Sequence, residues 1–313
     1  MIYFDNAATS YPKPASVIES VRKSLIYLGG NPGRGGHAMA MKAAEEMFLA
    51  RKTAAELFAV KDVENVVFTQ NCTHALNLVV FGLLKQGDRV VISDLEHNSV
   101  WRPLSYLEKR GEIKLVVAQT SLTDPTKTVE AFDKAVTQDT KLVICTHASN
   151  VTGTVLPIKE IGEIAHMRGA VFAVDGAQSA GMVNLSVDEM QIDFLCLPGH
   201  KGLYGPSGTG MLLVGCGNLL EPLMKGGTGS LSLQSEMPDF YPDRLECGTQ
   251  NLSGICGLRA GMNFVKKLGV KAISIKEHQL INMIYHCLSR CNGIELTRKS
   301  LPWAGRFRYF LLT

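Results

Sequence analysis

Several features are missing from this sequence of 313 residues, and each absence excludes a class of function. It has no uninterrupted run of about 18 apolar residues, which a membrane-spanning helix would need. Met1–Asn6 lacks the basic and then apolar pattern of a secretory signal, so we expect a cytoplasmic location. The formal net charge of +3 is too small to indicate nucleic acid or a membrane surface as a partner. The eight cysteines have no zinc-type spacing, so we predict no metal site and expect reduced, mostly buried thiols.

The pattern that remains is typical of an α/β protein. Hydrophobic residues make up 46% of the chain and charged residues 19%, as in ordinary globular proteins. Short apolar runs alternate with longer helical patterns, which favours βαβ units and a mostly parallel sheet of seven strands. The predicted strands are Val66–Thr69, Arg89–Ser93, Ile113–Ala118, Lys141–Thr146, Ala170–Asp175, Asp193–Leu197 and Thr209–Val214. The predicted helices are Ala15–Leu28, Met39–Phe58, Thr73–Leu84, Ser99–Arg110, Val129–Val136, Ile158–Met167, Gly254–Leu268 and Lys271–Arg290.

The most informative stretch is a glycine-rich turn directly after the sixth predicted strand, and it carries Lys201. Asp175 closes the strand before it. Pyridoxal phosphate chemistry needs this pair of groups: an amine to bond the cofactor aldehyde, and a carboxylate to keep the pyridine nitrogen protonated. The same amine can then move the α-proton of a substrate. Taken alone, each residue also fits a simpler role, as a solvated loop lysine or a turn-capping aspartate.

Three more polar residues follow predicted strands. Thr73 follows the first strand, His97 the second and Asn150 the fourth. In open α/β sheets the ligand crevice lies at the carboxyl ends of the strands. Together with Lys201 and Asp175, these residues predict one composite site at that edge.

Each of these residues suits one part of the cofactor. Thr73 and His74 open a helix, whose N-terminus binds phosphate well. His97 can stack on the pyridine ring and relay protons, while Asn150 and Gln178 can hydrogen-bond its phenolate oxygen. A helix cap, a structural histidine and ordinary turn residues remain the alternatives. Three glycine-marked loops, Asn31–His37, Gly226–Ser230 and Arg244–Asn251, fit either phosphate contacts or plain surface loops.

Together these motifs resemble class V aminotransferases, in the branch of the cysteine desulfurases and selenocysteine lyases. The matching segments occur in the order of the family from the N-terminus to about residue 290. They are Tyr3–Thr9, Arg34–His37, Glu96–Asn98, Ser149–Thr154, Asp175–Gln178, Gly199–Pro206 and Cys247–Asn251. Each segment alone is only moderately specific, whereas the ordered set is highly specific.

The resemblance implies a fold-type I enzyme that depends on pyridoxal 5'-phosphate and acts as a homodimer. It implies that Lys201 carries the cofactor, that Asp175 pairs with the ring nitrogen and that His97 stacks on the ring. The expected reaction removes sulfur from L-cysteine, leaving alanine and a persulfide on the enzyme. A sulfur-acceptor protein and a role in iron–sulfur cluster assembly are expected with it.

The resemblance also assigns the remaining cofactor contacts. Thr73, His200 and Gln178 would complete the contacts within the chain, and Thr249 would reach the phosphate of the partner subunit. One departure concerns the phosphate: the family has Ser or Thr where this chain has Pro198, which offers neither a hydroxyl nor an N–H.

The predicted domain organisation is an N-terminal arm (residues 1–14), a large cofactor-binding domain (15–252) and the start of a small C-terminal domain (253–313). The family continues for several dozen residues beyond the position of Thr313. That region carries the arginine for the substrate carboxylate and the loop cysteine that accepts sulfur. Ser300–Thr313 does not resemble its beginning, so we expect a truncated or altered end.

Two alternatives stay open at this point. A chain without the arginine clamp orients an amino acid poorly, and orientation contributes about 7–11 kcal/mol to lowering a barrier. The protein would then be a cofactor-binding pseudoenzyme or a weakly active homologue. The other alternative is a different reaction on the same cofactor, such as selenocysteine lysis, transamination, β-lyase chemistry or epimerisation.

Overall fold

The computed structural model describes residues 2–33, 36–215, 219–231 and 233–294, and every structural statement concerns these residues. Arg34, Gly35 and the segment Ser300–Thr313, which the sequence analysis singled out, lie outside them, and so does Cys216, one of the eight cysteines. The strands are β1 (Val66–Thr69), β2 (Asp88–Ser93), β3 (Ile113–Ala118), β4 (Thr140–Thr146), β5 (Val171–Asp175), β6 (Phe194–Pro198) and β7 (Gly210–Val214). The helices are α1 (Ala15–Tyr27), α2 (Ala38–Phe58), α3 (Cys72–Leu83), α4 (Asn98–Lys109), α5 (Pro125–Ala135), α6 (Ile158–Met167), α7 (Leu252–Leu268) and α8 (Val270–Leu288).

The seven strands form one sheet in the order β1-β7-β6-β5-β4-β2-β3, which confirms the predicted mostly parallel α/β architecture. Strand β7 is antiparallel to both of its neighbours, β1 and β6. The other pairs are parallel, so β1 runs in the same direction as β6, β5, β4, β2 and β3. The carboxyl ends of six strands therefore meet at one edge of the sheet.

The central strands are buried on both faces, because helices cover both sides of the sheet. In β4 the side chains of Leu142 and Ile144 join one apolar cluster, and those of Val143 and Cys145 join the other. This alternation follows from the two-residue period of a strand. It explains why the strands read as continuous apolar runs rather than alternating ones.

Helix α5 begins four residues earlier than the predicted start at Val129. Asp124 caps the helix by accepting a hydrogen bond from the Thr126 N–H, and Pro125 occupies the first turn. Both are start signals of a helix, and apolar periodicity alone does not reveal them. The other predicted helices and strands agree with the structure to within two residues at each end.

Helix α7 packs across α1 and α2. It also approaches the loop after β6, where a Cβ on Gly261 would lie 2.1 Å from the Leu203 carbonyl oxygen. A side chain at Gly261 would push α7 away from this loop. Among the described residues, no helix is long and apolar enough to cross a membrane.

Candidate active site

A cavity of about 240 Å³ opens at the carboxyl edge of the sheet. Seven of the residues singled out from the sequence line it: Thr73, His97, Asn150, Asp175, Gln178, His200 and Lys201. They come from the ends of β1, β2, β4, β5 and β6, as expected from the direction of these strands. The structure thus brings the amine of Lys201 and the carboxylate of Asp175 into one cavity.

Lys201 is half-buried on a tight turn that follows β6. The Gly199 N–H donates to the Thr209 carbonyl at 2.8 Å, and the Tyr204 N–H donates to the Lys201 carbonyl at 3.0 Å. A Cβ on Gly202 would lie 2.2 Å from the Ala180 carbonyl oxygen, so only glycine permits this close approach. The turn is therefore held against the segment after β5, which carries Gln178.

The N-terminal arm fixes the same turn from the other side. The carbonyl oxygen of His200 accepts bonds from the Lys13 ammonium at 2.9 Å, the Ser10 hydroxyl at 3.1 Å and the Thr9 hydroxyl at 3.2 Å. The Ser10 N–H also donates to this oxygen, at 3.1 Å. The donors surround the peptide that joins His200 to Lys201, so the arm contributes to the geometry of the site.

Asp175 is only 3% exposed and lies between Thr146 of β4 and Cys196 of β6 in the register of the sheet. Its Oδ1 accepts the Ala177 N–H at 2.9 Å and the Cys72 thiol at 3.4 Å. Burial, followed by the Asp175 charge, holds the pKa of Cys72 well above its usual range. The thiol therefore stays protonated, and its single hydrogen has two acceptors within reach, the Asp175 carboxylate and the Cys196 carbonyl at 3.3 Å.

Helix α3 points its N-terminus towards the cavity. Asn71 is its cap, because the Asn71 Oδ1 accepts the His74 N–H at 2.8 Å. The alternative of a threonine cap is therefore wrong, and Thr73 keeps its hydroxyl for another partner, Ser99, at 2.8 Å. Pro198 lines the cavity and offers neither a hydroxyl nor an N–H, as the sequence analysis noted.

His97 caps α4, with its Nδ1 accepting the Ser99 N–H at 3.1 Å. The Ser99 Oγ lies 2.8 Å from the same nitrogen. The imidazole is therefore held by one edge at the mouth of the cavity. Its Nε2 makes no hydrogen bond within the described part of the chain.

Two predicted cofactor contacts do not line this cavity. The Nδ1 of His74 accepts the Gln70 N–H at 3.3 Å, and burial lowers the pKa of His74. Thr249 is exposed in a separate groove, where Asn31 donates to its hydroxyl at 3.4 Å. Their roles stay predictions, and that of Thr249 depends on a partner subunit.

Two buried ionisable groups lie below the cavity. Burial raises the pKa of Glu96 to about 8, and bonds from Ser93 and the Thr146 N–H oppose this rise. Burial also lowers the pKa of His147 to about 4. Both side chains are therefore neutral near pH 7. Neither of them places a second buried charge near the Asp175 carboxylate.

Some lining residues were not predicted from the sequence. Cys72 was expected only as one of the mostly buried thiols, and Ser99 received no role, yet both line the cavity and bond predicted site residues. Ser99 was detectable in principle, because it lies two residues after His97, where a helix N-terminus collects hydroxyl groups. Cys72 gave no such signal.

The α/β fold and the polar cavity at the carboxyl edge of its sheet define an enzyme of the α/β class. Its cavity lies where open parallel sheets bind their ligands. The family described as aminotransferase class V matches residues 2–303. The chain therefore belongs to the class V aminotransferase family, as its motifs predicted. Members of this family depend on pyridoxal phosphate.

Curated relatives specify the branch. A probable cysteine desulfurase of Methanothermobacter thermautotrophicus is 35% identical over 301 residues, which cover 94% of this chain and 74% of the relative. A probable cysteine desulfurase of Pyrococcus abyssi is 33% identical over 97% of this chain and 75% of the relative. The chain thus spans about three quarters of the length of these relatives.

Solved structures agree with this branch. The cysteine desulfurase of Thermococcus onnurineus NA1, in its apo form, is 33% identical with a TM-score of 0.84. It covers 92% of this chain, and the match covers 73% of that structure. The cysteine desulfurase CsdA of Escherichia coli is 27% identical with a TM-score of 0.83, over 94% of this chain and 75% of that structure. These matches confirm the predicted fold class.

Proposed function

We propose that this protein is a pyridoxal phosphate-dependent, cysteine desulfurase-like enzyme. The single observation that carries the proposal is the presence of Lys201, Asp175 and His97 around one cavity of about 240 Å³. The similarity to cysteine desulfurases over most of the chain supports the same substrate, L-cysteine. The expected products are alanine and a persulfide that passes to an acceptor protein.

Two features of the cavity fit the cofactor. The Nδ1 of His200 is buried without a hydrogen-bond partner among the described residues, and a phosphate oxygen would satisfy it. The N-terminus of α3 lies beside it, with Thr73 in its first turn. Backbone N–H groups at a helix N-terminus favour phosphate, so these groups can hold it although Pro198 adds none.

When bound, the cofactor supplies an electron sink for the substrate's α-carbon. The residues of the chain would bind the cofactor, move protons and orient the ring. Lys201 would hold the cofactor covalently and later take or return a proton at its amine. Asp175 would keep a proton on the ring nitrogen, with its own position fixed by the Ala177 N–H and the Cys72 thiol. His97, Asn150 and Gln178 would orient the ring.

We further propose a homodimer in which Thr249 serves the partner's site. Thr249 lies in a groove with Gly227–Gly229, away from the cavity of its own chain. Large apolar side chains are exposed nearby in the sequence, and Leu233, Met224 and Phe240 are more than two-fifths exposed. Such apolar exposure is typical of a surface that another chain covers. A cytoplasmic location stays a prediction.

The experiment adds pyridoxal phosphate to the purified chain and records absorbance near the violet edge of the visible range. Borohydride reduction and peptide mass mapping should then find the cofactor on Lys201. In a separate, unreduced sample, cysteine should give alanine, and sulfide should appear when an added thiol reduces the persulfide. The matched control is Lys159→Ala, an exposed lysine on α6 outside the cavity, which should bind cofactor normally. Absence of the band, or an unchanged band in Lys201→Ala, would refute the proposal.

A further inference from the structure

Three side chains form a continuous hydrogen-bonded chain at the rim of the cavity. The Thr73 Oγ1 lies 2.8 Å from the Ser99 Oγ, which lies 2.8 Å from the His97 Nδ1. The Ser99 N–H donates to the same Nδ1 at 3.1 Å. Ser99 is 8% exposed, so water competes little for these bonds.

The protons in this chain can be assigned from the donors and acceptors. A neutral imidazole carries one N–H, and the nitrogen that accepts a hydrogen bond is the other one. Because the His97 Nδ1 accepts the Ser99 N–H, its proton lies on Nε2. The Nδ1 then has no hydrogen to give, so the Ser99 hydroxyl donates to it. The Ser99 oxygen is left to accept the Thr73 hydroxyl.

The opposite tautomer would be disfavoured. A proton on Nδ1 would face the Ser99 N–H, which is fixed by the start of α4 and has no other intrahelical partner. It would also turn the Ser99 hydrogen away from Nδ1, because the Ser99 oxygen would then accept the Nδ1–H. The backbone thus sets the direction of the chain, and the two hydroxyls reinforce it.

We propose that Ser99 is a positioning residue that fixes His97 as the Nε2–H tautomer and links it to the hydroxyl of Thr73. This inference deepens the proposed function, because His97 and Thr73 are the residues expected to meet the ring and the phosphate. The link runs between the two ends of the cofactor site. A phosphate oxygen that binds the Thr73 hydroxyl in place of Ser99 would weaken the hydrogen bond between Ser99 and the His97 imidazole.

The test uses the cofactor-free protein, so that its outcome does not depend on cofactor binding. Histidine labelled with ¹⁵N reports the tautomer through the chemical shifts of the two ring nitrogens, measured at a pH where the imidazole is neutral. The resonances of His97 are identified by their loss in His97→Gln. In the wild type, the Nδ1 signal should be that of an acceptor nitrogen and the Nε2 signal that of an N–H.

Ser99→Ala removes the hydroxyl but keeps the Ser99 N–H as a donor to Nδ1. The ratio of Nε2–H to Nδ1–H should fall, by less than the about fivefold change of one whole hydrogen bond, because the hydroxyl can also accept from Nδ1–H. Ser99→Thr should restore the ratio. Thr73→Val, which keeps the shape of the side chain, should lower the ratio by a smaller factor. Ser105→Ala, in the same helix α4, is the matched control and should leave it unchanged.

Thermal unfolding of each variant separates a local effect from loss of the fold. A protonated Nδ1 in the wild type would overturn the proposal. So would a ratio in Ser99→Ala that equals the wild-type ratio while the protein remains folded. Failure of pyridoxal phosphate to bind would refute the proposed function and leave this result intact.

Discussion

Glu96 gives the sharpest prediction for the stability of this fold. Its side chain is 8% exposed, and Oε1 accepts bonds from the Ser93 hydroxyl and from the Thr146 N–H at 2.7 Å. The other oxygen, Oε2, is buried without a partner among the described residues. Because burial disfavours the charged form, its pKa is raised from 4.5 to about 8.

The sign of the effect follows from the proton balance. Between about pH 4.5 and about pH 8, the unfolded chain loses this proton while the folded chain keeps it. A rise in pH therefore stabilises the unfolded state by about 1.4 kcal/mol per pH unit. Over the whole interval, the free energy of unfolding falls by at most about 5 kcal/mol, and it levels off above the folded-state pKa.

Glu96→Gln copies the shape of the neutral acid and removes its titration. The variant and the wild type should differ little near pH 4.5, and the variant should become progressively more stable than the wild type up to about pH 8. Urea unfolding of the cofactor-free proteins, followed by circular dichroism at several pH values, measures this difference. The contributions of all other titrating groups are the same in both proteins, so they cancel in the difference between the two free energies of unfolding.

The matched control is Glu160→Gln, an exposed carboxyl on α6. Its difference from the wild type should stay constant over the same pH interval. A constant difference for Glu96→Gln as well would show that Glu96 ionises normally in the folded protein, and the reasoning from burial would be wrong.

Three further predictions concern other buried or bridging groups. Replacing Glu246 by Gln should lower the free energy of unfolding by about 3 kcal/mol in urea titrations, because it leaves the Arg51 charge buried without its partner at 2.6 Å; a loss below about 1 kcal/mol would match an exposed pair instead. The imidazole of His147 should stay neutral in NMR titrations until the pH approaches about 4, and folding stability should fall as the pH drops from 6.5 towards that value; protonation near pH 6.5 would contradict this. Lys13→Met should lower the stability by about 1 kcal/mol and slow covalent attachment of the cofactor, because the carbonyl of His200 loses its charged donor; attachment at the wild-type rate would exclude a role for the arm.

The sheet and the outline of the site were predictable because both depend on local patterns. Each strand is a short apolar run between polar turns, and the parallel order fixes where their carboxyl ends lie. Lys201 and Asp175 then follow from their positions after β6 and at the end of β5. The start of α5 was missed, because its signals are Asp124 and Pro125 rather than apolar spacing.

The long-range hydrogen bonds within the site were not predictable, because their partners are far apart in the sequence. Cys72 meets Asp175 across 103 positions, and Ser99 meets Thr73 across 26. Only the order of the strands brings these pairs together. The same applies to Thr249, whose expected role needs a second subunit that one sequence does not contain.

The bond between the Ser10 hydroxyl and the His200 carbonyl joins residues 190 positions apart. During synthesis, the arm therefore leaves the ribosome long before the turn that contains His200 has been made. We expect contacts of such large separation to form late in folding, because the ends of a long loop must meet first. We therefore expect the site to reach its final geometry only after β6 has joined the sheet and the arm has bonded to the turn that follows β6.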